Sequence, residues 1–142
     1  MRHKKRGRQL GRDTQHRRAL YRNLVTSLFD AERLETTEAK GKEIRSIADK
    51  MITLAKSGTL ADRRRAAAYL LRPVTVTKLF GEIGPRFSDR NGGYTRLIKT
   101  RIRKGDGAPM VLVELTSLAP SAPPTVEQKP ETAKGPKEKT AT

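Results

Sequence analysis

The sequence has 142 residues and carries 31 Lys and Arg against 15 Asp and Glu, a formal net charge of +16. Apolar residues make up 35 % and aromatics 4 %, with no Trp, so the core must be small and part of the chain must lie outside it. Absence of Cys excludes disulfides and thiol chemistry, no apolar run is long enough for a membrane span, no secretory signal follows the basic opening, and the charge calls for a polyanionic partner.

Residues 1–12 have no apolar periodicity and hold Arg2, His3, Lys4, Lys5, Arg6, Arg8 and Arg12. Like charges at this density resist collapse, so the segment is expected to be a basic arm, disordered in the free protein. Asp13 or Thr14 is placed to cap a helix of about sixteen residues. In it Leu20, Leu24 and Leu28 recur every four residues beside Tyr21, Val25 and Phe29. His16, Arg17, Arg18 and Arg22 crowd its beginning, where positive charge opposes the helix dipole and a phosphate would relieve it.

Glu32–Thr36 is too short for a helix and, with Leu34 at its centre, reads as a strand. Thr36 or Thr37 then starts a second helix with Ile44, Ile47, Ala48, Met51, Ile52, Leu54 and Ala55 as its apolar positions, ended by Gly58. The spacing of Thr59 and Asp62 is that of a capping box, opening a third helix that runs to about Leu71 before Pro73. Val76, Leu79, Phe80 and Ile83 define a fourth helix, which Gly84 and Pro85 are expected to close.

From Tyr94 to Arg103 the period becomes two. Tyr94, Ile98 and Ile102 fall on one face with Arg96 and Thr100; Thr95, Leu97, Lys99, Arg101 and Arg103 fall on the other. Lys104–Pro109 is a turn and Met110–Leu115 an apolar strand, so the two runs form a hairpin that must pack on the helices. Residues 119–142 contain five of the eight prolines, with four Lys against three Glu, and are expected to be a flexible tail.

Candidate chemistry is concentrated in the cations. The two histidines lack carboxylate or Ser neighbours at triad spacing, and acids such as Glu38, Glu43 and Asp49 are interleaved with bases as helix-face pairs. No phosphate-binding Gly loop of the nucleotide-binding kind and no metal cluster is visible, so no enzyme and no cofactor is expected. Asn91-Gly92-Gly93, flanked by Arg86, Arg90 and Arg96, exposes backbone N–H groups beside guanidiniums, a composition suited to phosphate. Lys99, Arg101, Arg103 and Lys104 extend that basic patch along the hairpin. Tyr94 could stack on a base, although Tyr94 and Phe87 fit a core role better. Helix-turn-helix, zinc-finger, RNP and KH signatures are all missing. A small basic α+β core with a cationic arm suits a folded RNA first and non-specific, nucleoid-type DNA compaction second.

The opening Met-Arg-His-Lys-Lys-Arg-Gly-Arg-Gln-Leu, the segment His16–Leu24, Lys78-Leu79-Phe80 through Gly84-Pro85-Arg86-Phe87, Gly92-Gly93-Tyr94-Thr95-Arg96 and Gly105–Met110 together resemble the family of the bacterial large-subunit ribosomal protein numbered seventeen. The resemblance covers about residues 1–116 in colinear order. It implies an α+β fold of four helices and a three-stranded sheet in which the early strand joins the C-terminal hairpin. Charge and composition divide the chain into an arm (1–12), a core domain (13–118) and a tail (119–142), the last a departure from the family pattern, which assigns it no role. The implied activity is architectural and non-catalytic: binding of large-subunit rRNA of the 23S type near the exit side of the peptide tunnel, beside neighbouring large-subunit proteins in the cytoplasmic ribosome. Neither a membrane nor a small-molecule substrate is implied.

Overall fold

The computed structural model describes residues 7–117. Arg2, His3, Lys4, Lys5 and Arg6 of the arm, and the tail expected over 119–142, lie outside the described residues.

Helix α1 (Thr14–Ala31) begins where Asp13 Oδ1 accepts the His16 N–H at 2.6 Å and buries Val25, Leu28 and Phe29. It ends at Glu32, a non-glycine residue in the left-handed region with φ 59°. Strand β1 (Arg33–Thr37) follows, one residue later than the Leu34-centred pattern predicts, because Glu32 serves as the helix cap. Helix α2 (Glu38–Ser57) runs the length of the domain and stops at Gly58 (φ 68°), whose N–H bonds the Leu54 carbonyl. Thr37 precedes it without a side-chain cap bond.

Thr59 accepts the Asp62 N–H at 3.2 Å and donates its hydroxyl to Asp62 Oδ2 at 2.5 Å, while Ser57 donates to the same oxygen. Helix α3 (Leu60–Tyr69) thus starts where the capping box predicts and ends two residues before Leu71. The Ser57 hydroxyl first, and then that of Thr59, hold the Asp62 carboxyl below its usual range.

The fourth helix corrects the sequence expectation at its end. It begins as α4 (Pro73–Lys78), continues through a π-helical stretch (Leu79–Ile83) and adds a last turn, Gly84–Arg86. Gly84 and Pro85 lie inside it. The Gly84 N–H reaches back five residues to Leu79, widening the helix just before Pro85, where a regular helix would meet the proline ring and lack its N–H. Gly84 is required by packing: a Cβ there would stand 3.1 Å from both Cβ and O of Ala55 on α2.

Strands β2 (Thr95–Ile102) and β3 (Pro109–Leu115) complete an antiparallel sheet of order β1-β3-β2. The most apolar strand takes the centre, and the charged ones form the edges. Val111, Val113 and Leu115 face α2, which approaches so closely that a Cβ on Gly41 would lie 2.7 Å from Val111 Cγ2. The strict two-residue alternation expected for β2 fails at a bulge between Lys99 and Ile102. Thr95, Leu97 and Lys99 share the α2 side with their partners Leu115, Val113 and Val111. After the bulge Ile102 pairs with Pro109 on that same side, away from the face of Ile98, and Arg101 crosses to the outer face. Tyr94 and Phe87 pack edge to face in the core with centroids 5.3 Å apart, as their core reading predicts.

Candidate nucleic-acid interface

The basic arm and Lys99 of the hairpin meet at the start of α2. Gly7–Arg12 turns back over α1 and α2: Arg12 N–H bonds Gln9 O at 3.1 Å, and the Tyr21 hydroxyl bonds Arg8 O at 3.4 Å. This second half of the expected arm therefore has a defined course. Arg8 pairs with Glu43 of α2 at 3.9 Å. One turn earlier, Glu38 is bonded by Lys42 at 2.6 Å, and Lys99 of β2 and Arg8 also act on it. Lys42 first, then the fields of Lys99 and Arg8, hold the Glu38 carboxyl below its usual range. Arm, α1, α2 and hairpin thereby form one cationic surface. Lys42 was not singled out in the sequence; its four-residue spacing from Glu38 is the signal that places it.

On α1, Arg17 bonds the Arg12 carbonyl at 3.4 Å, Arg18 is exposed, and the His16 side chain is exposed above the capped turn. Among the described residues Arg17, Arg18, Lys99 and Lys104 form no ion pair. Arg22 is used internally: its Nε donates to Tyr69 O at 2.7 Å and Nη2 to Ala68 O at 3.1 Å, closing the carbonyl end of α3. Farther along the hairpin, Arg101 binds Glu35 across the sheet at 3.0 Å and Arg103 binds Asp106.

The loop around Gly92-Gly93 is at the opposite end of α2, about 27 Å from Glu38 by the helix rise. Its three arginines are not gathered into one site. Arg86 is bound to Glu32, Arg96 to Glu114 at 2.5 Å, and Arg90 donates to Gly92 O at 3.2 Å and Thr116 Oγ1 at 3.1 Å. Arg86 also reaches Ser117 O at 3.2 Å, so the trio is laid along the outgoing end of β3. The carboxylates that engage two of them, Glu32 and Glu114, are buried and carry no pattern that would expose them in the sequence. Lys56 at the end of α2 braces the loop by bonding Arg90 O at 2.6 Å and lies 5.6 Å from the Tyr94 ring centroid.

Burial of Tyr94 at 4 % exposure removes it as a stacking ring. The surface is therefore one of distributed cations carried on α1, α2 and the hairpin. Among the described residues no group of three or more His, Cys, Asp or Glu is placed to hold a metal.

A family model described as ribosomal protein L17 matches residues 20–116, from α1 through the last strand. The chain belongs to the ribosomal protein L17 family. The large ribosomal subunit protein bL17 of Symbiobacterium thermophilum is 61 % identical to this family member over 107 residues, covering 75 % of this chain and 95 % of that one. The protein of the same description from Moorella thermoacetica is 60 % identical over 108 residues, 76 % of this chain and 96 % of that one. That of Geobacter metallireducens is 57 % identical over 115 residues, 81 % of this chain and 65 % of the longer relative. The L17 match spans both ends of α2, and so includes the Lys42–Lys99 cluster and the Gly92-Gly93 loop alike.

Proposed function

We propose that this protein is a structural constituent of the large ribosomal subunit that binds and stabilises large-subunit rRNA near the exit side of the peptide tunnel. Membership of the L17 family and the large-subunit descriptions of its relatives support the ribosomal assignment. The motif resemblance supports the tunnel-exit position. One structural observation carries the RNA reading: Arg8, Lys42 and Lys99, from three distant parts of the sequence, converge on the start of α2, and Arg17 and Arg18 lie on the adjoining helix without ion pairs among the described residues. Such a surface contacts phosphate wherever the backbone passes, which suits positioning on a folded RNA.

In this reading Arg2, His3, Lys4, Lys5, Arg6, Arg8, Arg12, His16, Arg17, Arg18, Lys99 and Lys104 meet the RNA directly. Arg22, Arg86, Arg90, Arg96, Arg101 and Arg103 contribute charge from positions already tied to the fold. Its partners are 23S-type rRNA and neighbouring large-subunit proteins, in the cytoplasmic ribosome, and its role is architectural. The test is sedimentation of cell extract through a sucrose gradient in high salt after nuclease treatment. Co-migration with the large subunit that resists DNase is expected; release by DNase would instead identify a nucleoid-type DNA-binding protein.

A further inference from the structure

Six aromatic side chains are present. Phe29, Phe80, Phe87 and Tyr94 are buried. Tyr21 and Tyr69 alone are partly exposed, and both stand at the corner where the beginning of α1 meets the end of α3, within the cationic surface. Both are tied to neighbouring segments. Arg22 grips the last two carbonyls of α3 and thereby fixes Tyr69 against α1, while the Tyr21 hydroxyl is tied to Arg8 O.

Charged side chains flank the two rings. Arg22 and Arg18 act on the Tyr69 phenol, Glu43 and then Arg17 on that of Tyr21, and the two phenols lie near enough to act on each other. Burial is the larger influence and raises both, so each ring stays neutral at physiological pH. Arg12, whose carbonyl accepts from Arg17, has its Nη1 bonded to Leu10 O at 2.7 Å and its buried Nε without an acceptor among the described residues. A partly exposed ring beside guanidiniums that form no ion pair among the described residues, here Arg17 and Arg18, is the combination that recognises an unpaired nucleotide: the base stacks and its flanking phosphates meet the cations.

We infer that the Tyr21–Tyr69 corner is a stacking site for an unpaired nucleotide of RNA, with Arg17 and Arg18 on the adjacent phosphates. This rests on the rRNA reading and narrows it. Bases inside a duplex keep their faces against their neighbours, so the site selects a loop, bulge or strand end.

The test uses the full chain and large-subunit rRNA. Tyr69→Leu and Tyr21→Leu keep apolar bulk but remove the ring; at least one should weaken binding about 5- to 150-fold, the range of one base–aromatic stack. The slope of affinity against salt should not change, because no charge is lost. Tyr69→Phe and Tyr21→Phe should bind within about twofold of the unsubstituted chain, since stacking needs the ring and not the hydroxyl. Arg18→Gln, on an exposed side chain, should flatten the salt slope by about one unit. Ultraviolet crosslinking of the unsubstituted protein to the RNA, read by peptide mass mapping, should place a nucleotide on Tyr21 or Tyr69; this arm does not depend on any variant folding. Leu variants that bind like the parent, or crosslinks confined to other peptides, would overturn the stacking site and leave the rRNA reading standing. Failure of the unsubstituted chain to bind rRNA would overturn both.

Discussion

Arg86 grips both carboxylate oxygens of Glu32, Nη1 to Oε2 and Nη2 to Oε1, each at 2.8 Å. Both side chains are largely buried, Lys78 adds a contact at 3.1 Å, and Glu32 occupies a left-handed backbone position at the end of α1. The pair joins the end of the fourth helix to the turn between α1 and β1, and Glu32 raises the guanidinium pKa by hydrogen bonding. Arg86, which the sequence places among phosphate ligands, is thus held by a carboxylate of the same chain.

Arg86→Gln should therefore be a stability variant before it is a binding variant. Removing one member of a buried ion pair leaves the other charge under-compensated, at a cost of about 3–5 kcal/mol in typical cases. Because Lys78 still reaches Glu32, the expected loss is at the low end of that range, about 3 kcal/mol. Urea unfolding followed by circular dichroism measures it. A midpoint unchanged from the parent would show that the pair adds nothing to the fold.

Two glycines on helices should respond oppositely to the same change. At Gly41 a new Cβ meets Val111, Leu97 and Val113 at 2.7, 3.1 and 3.2 Å, so Gly41→Ala should push α2 off the sheet and cost about 1–3 kcal/mol. At Gly81 a Cβ meets nothing within 4 Å and the site is exposed in the π-helical stretch. Gly81→Ala should stabilise by about 0.5–1 kcal/mol through the lost flexibility of the unfolded chain. Thermal melts of the two variants would contradict this packing if both moved in the same direction.

The arm should set the ionic part of RNA affinity. If about ten phosphates are neutralised, log K falls against log[salt] with a slope of roughly −7 to −9. Deleting residues 2–8 removes Arg2, Lys4, Lys5, Arg6 and Arg8, and the slope should flatten by about three to four units. Filter binding to large-subunit rRNA across a salt series reads the slope directly. An unaltered slope would place the arm away from phosphate.

Acid sensitivity should include the hairpin tip. Arg103 first, and then the Ala108 N–H, hold the exposed Asp106 carboxyl at about 2, against an ordinary value of 3.8. A carboxylate with a depressed folded-state pKa stabilises the fold above its unfolded value and loses that contribution as pH falls through its folded value. The hairpin contribution should thus be whole above about pH 4 and disappear toward about pH 2. Carbon-detected NMR titration of the Asp106 carboxyl should give a midpoint near 2, and Arg103→Gln should return it toward 3.8. A midpoint indifferent to that substitution would remove Arg103 as the cause.

Local rules determined most of the elements. Asp13, Thr59 and Gly58 mark helix ends because capping involves residues adjacent in sequence, and the apolar spacing of α1 and α2 follows from the helical repeat alone. The charge of the arm and its need for a polyanion are likewise properties of composition. Tertiary structure decided where each cation is used. Arg86 and Arg96 meet Glu32 and Glu114, at separations of 54 and 18 residues, and no local pattern marks such partners. A one-residue bulge carried Arg101 to Glu35 and separated Ile102 from Ile98, since a strand's alternation reverses wherever one residue is inserted. The packing of Gly84 on Ala55 let the fourth helix continue past the glycine and proline that locally signal its end. Burial removed Tyr94 from the surface and left Tyr21 and Tyr69 there, because exposure depends on which elements pack over a side chain and not on the residues beside it in sequence.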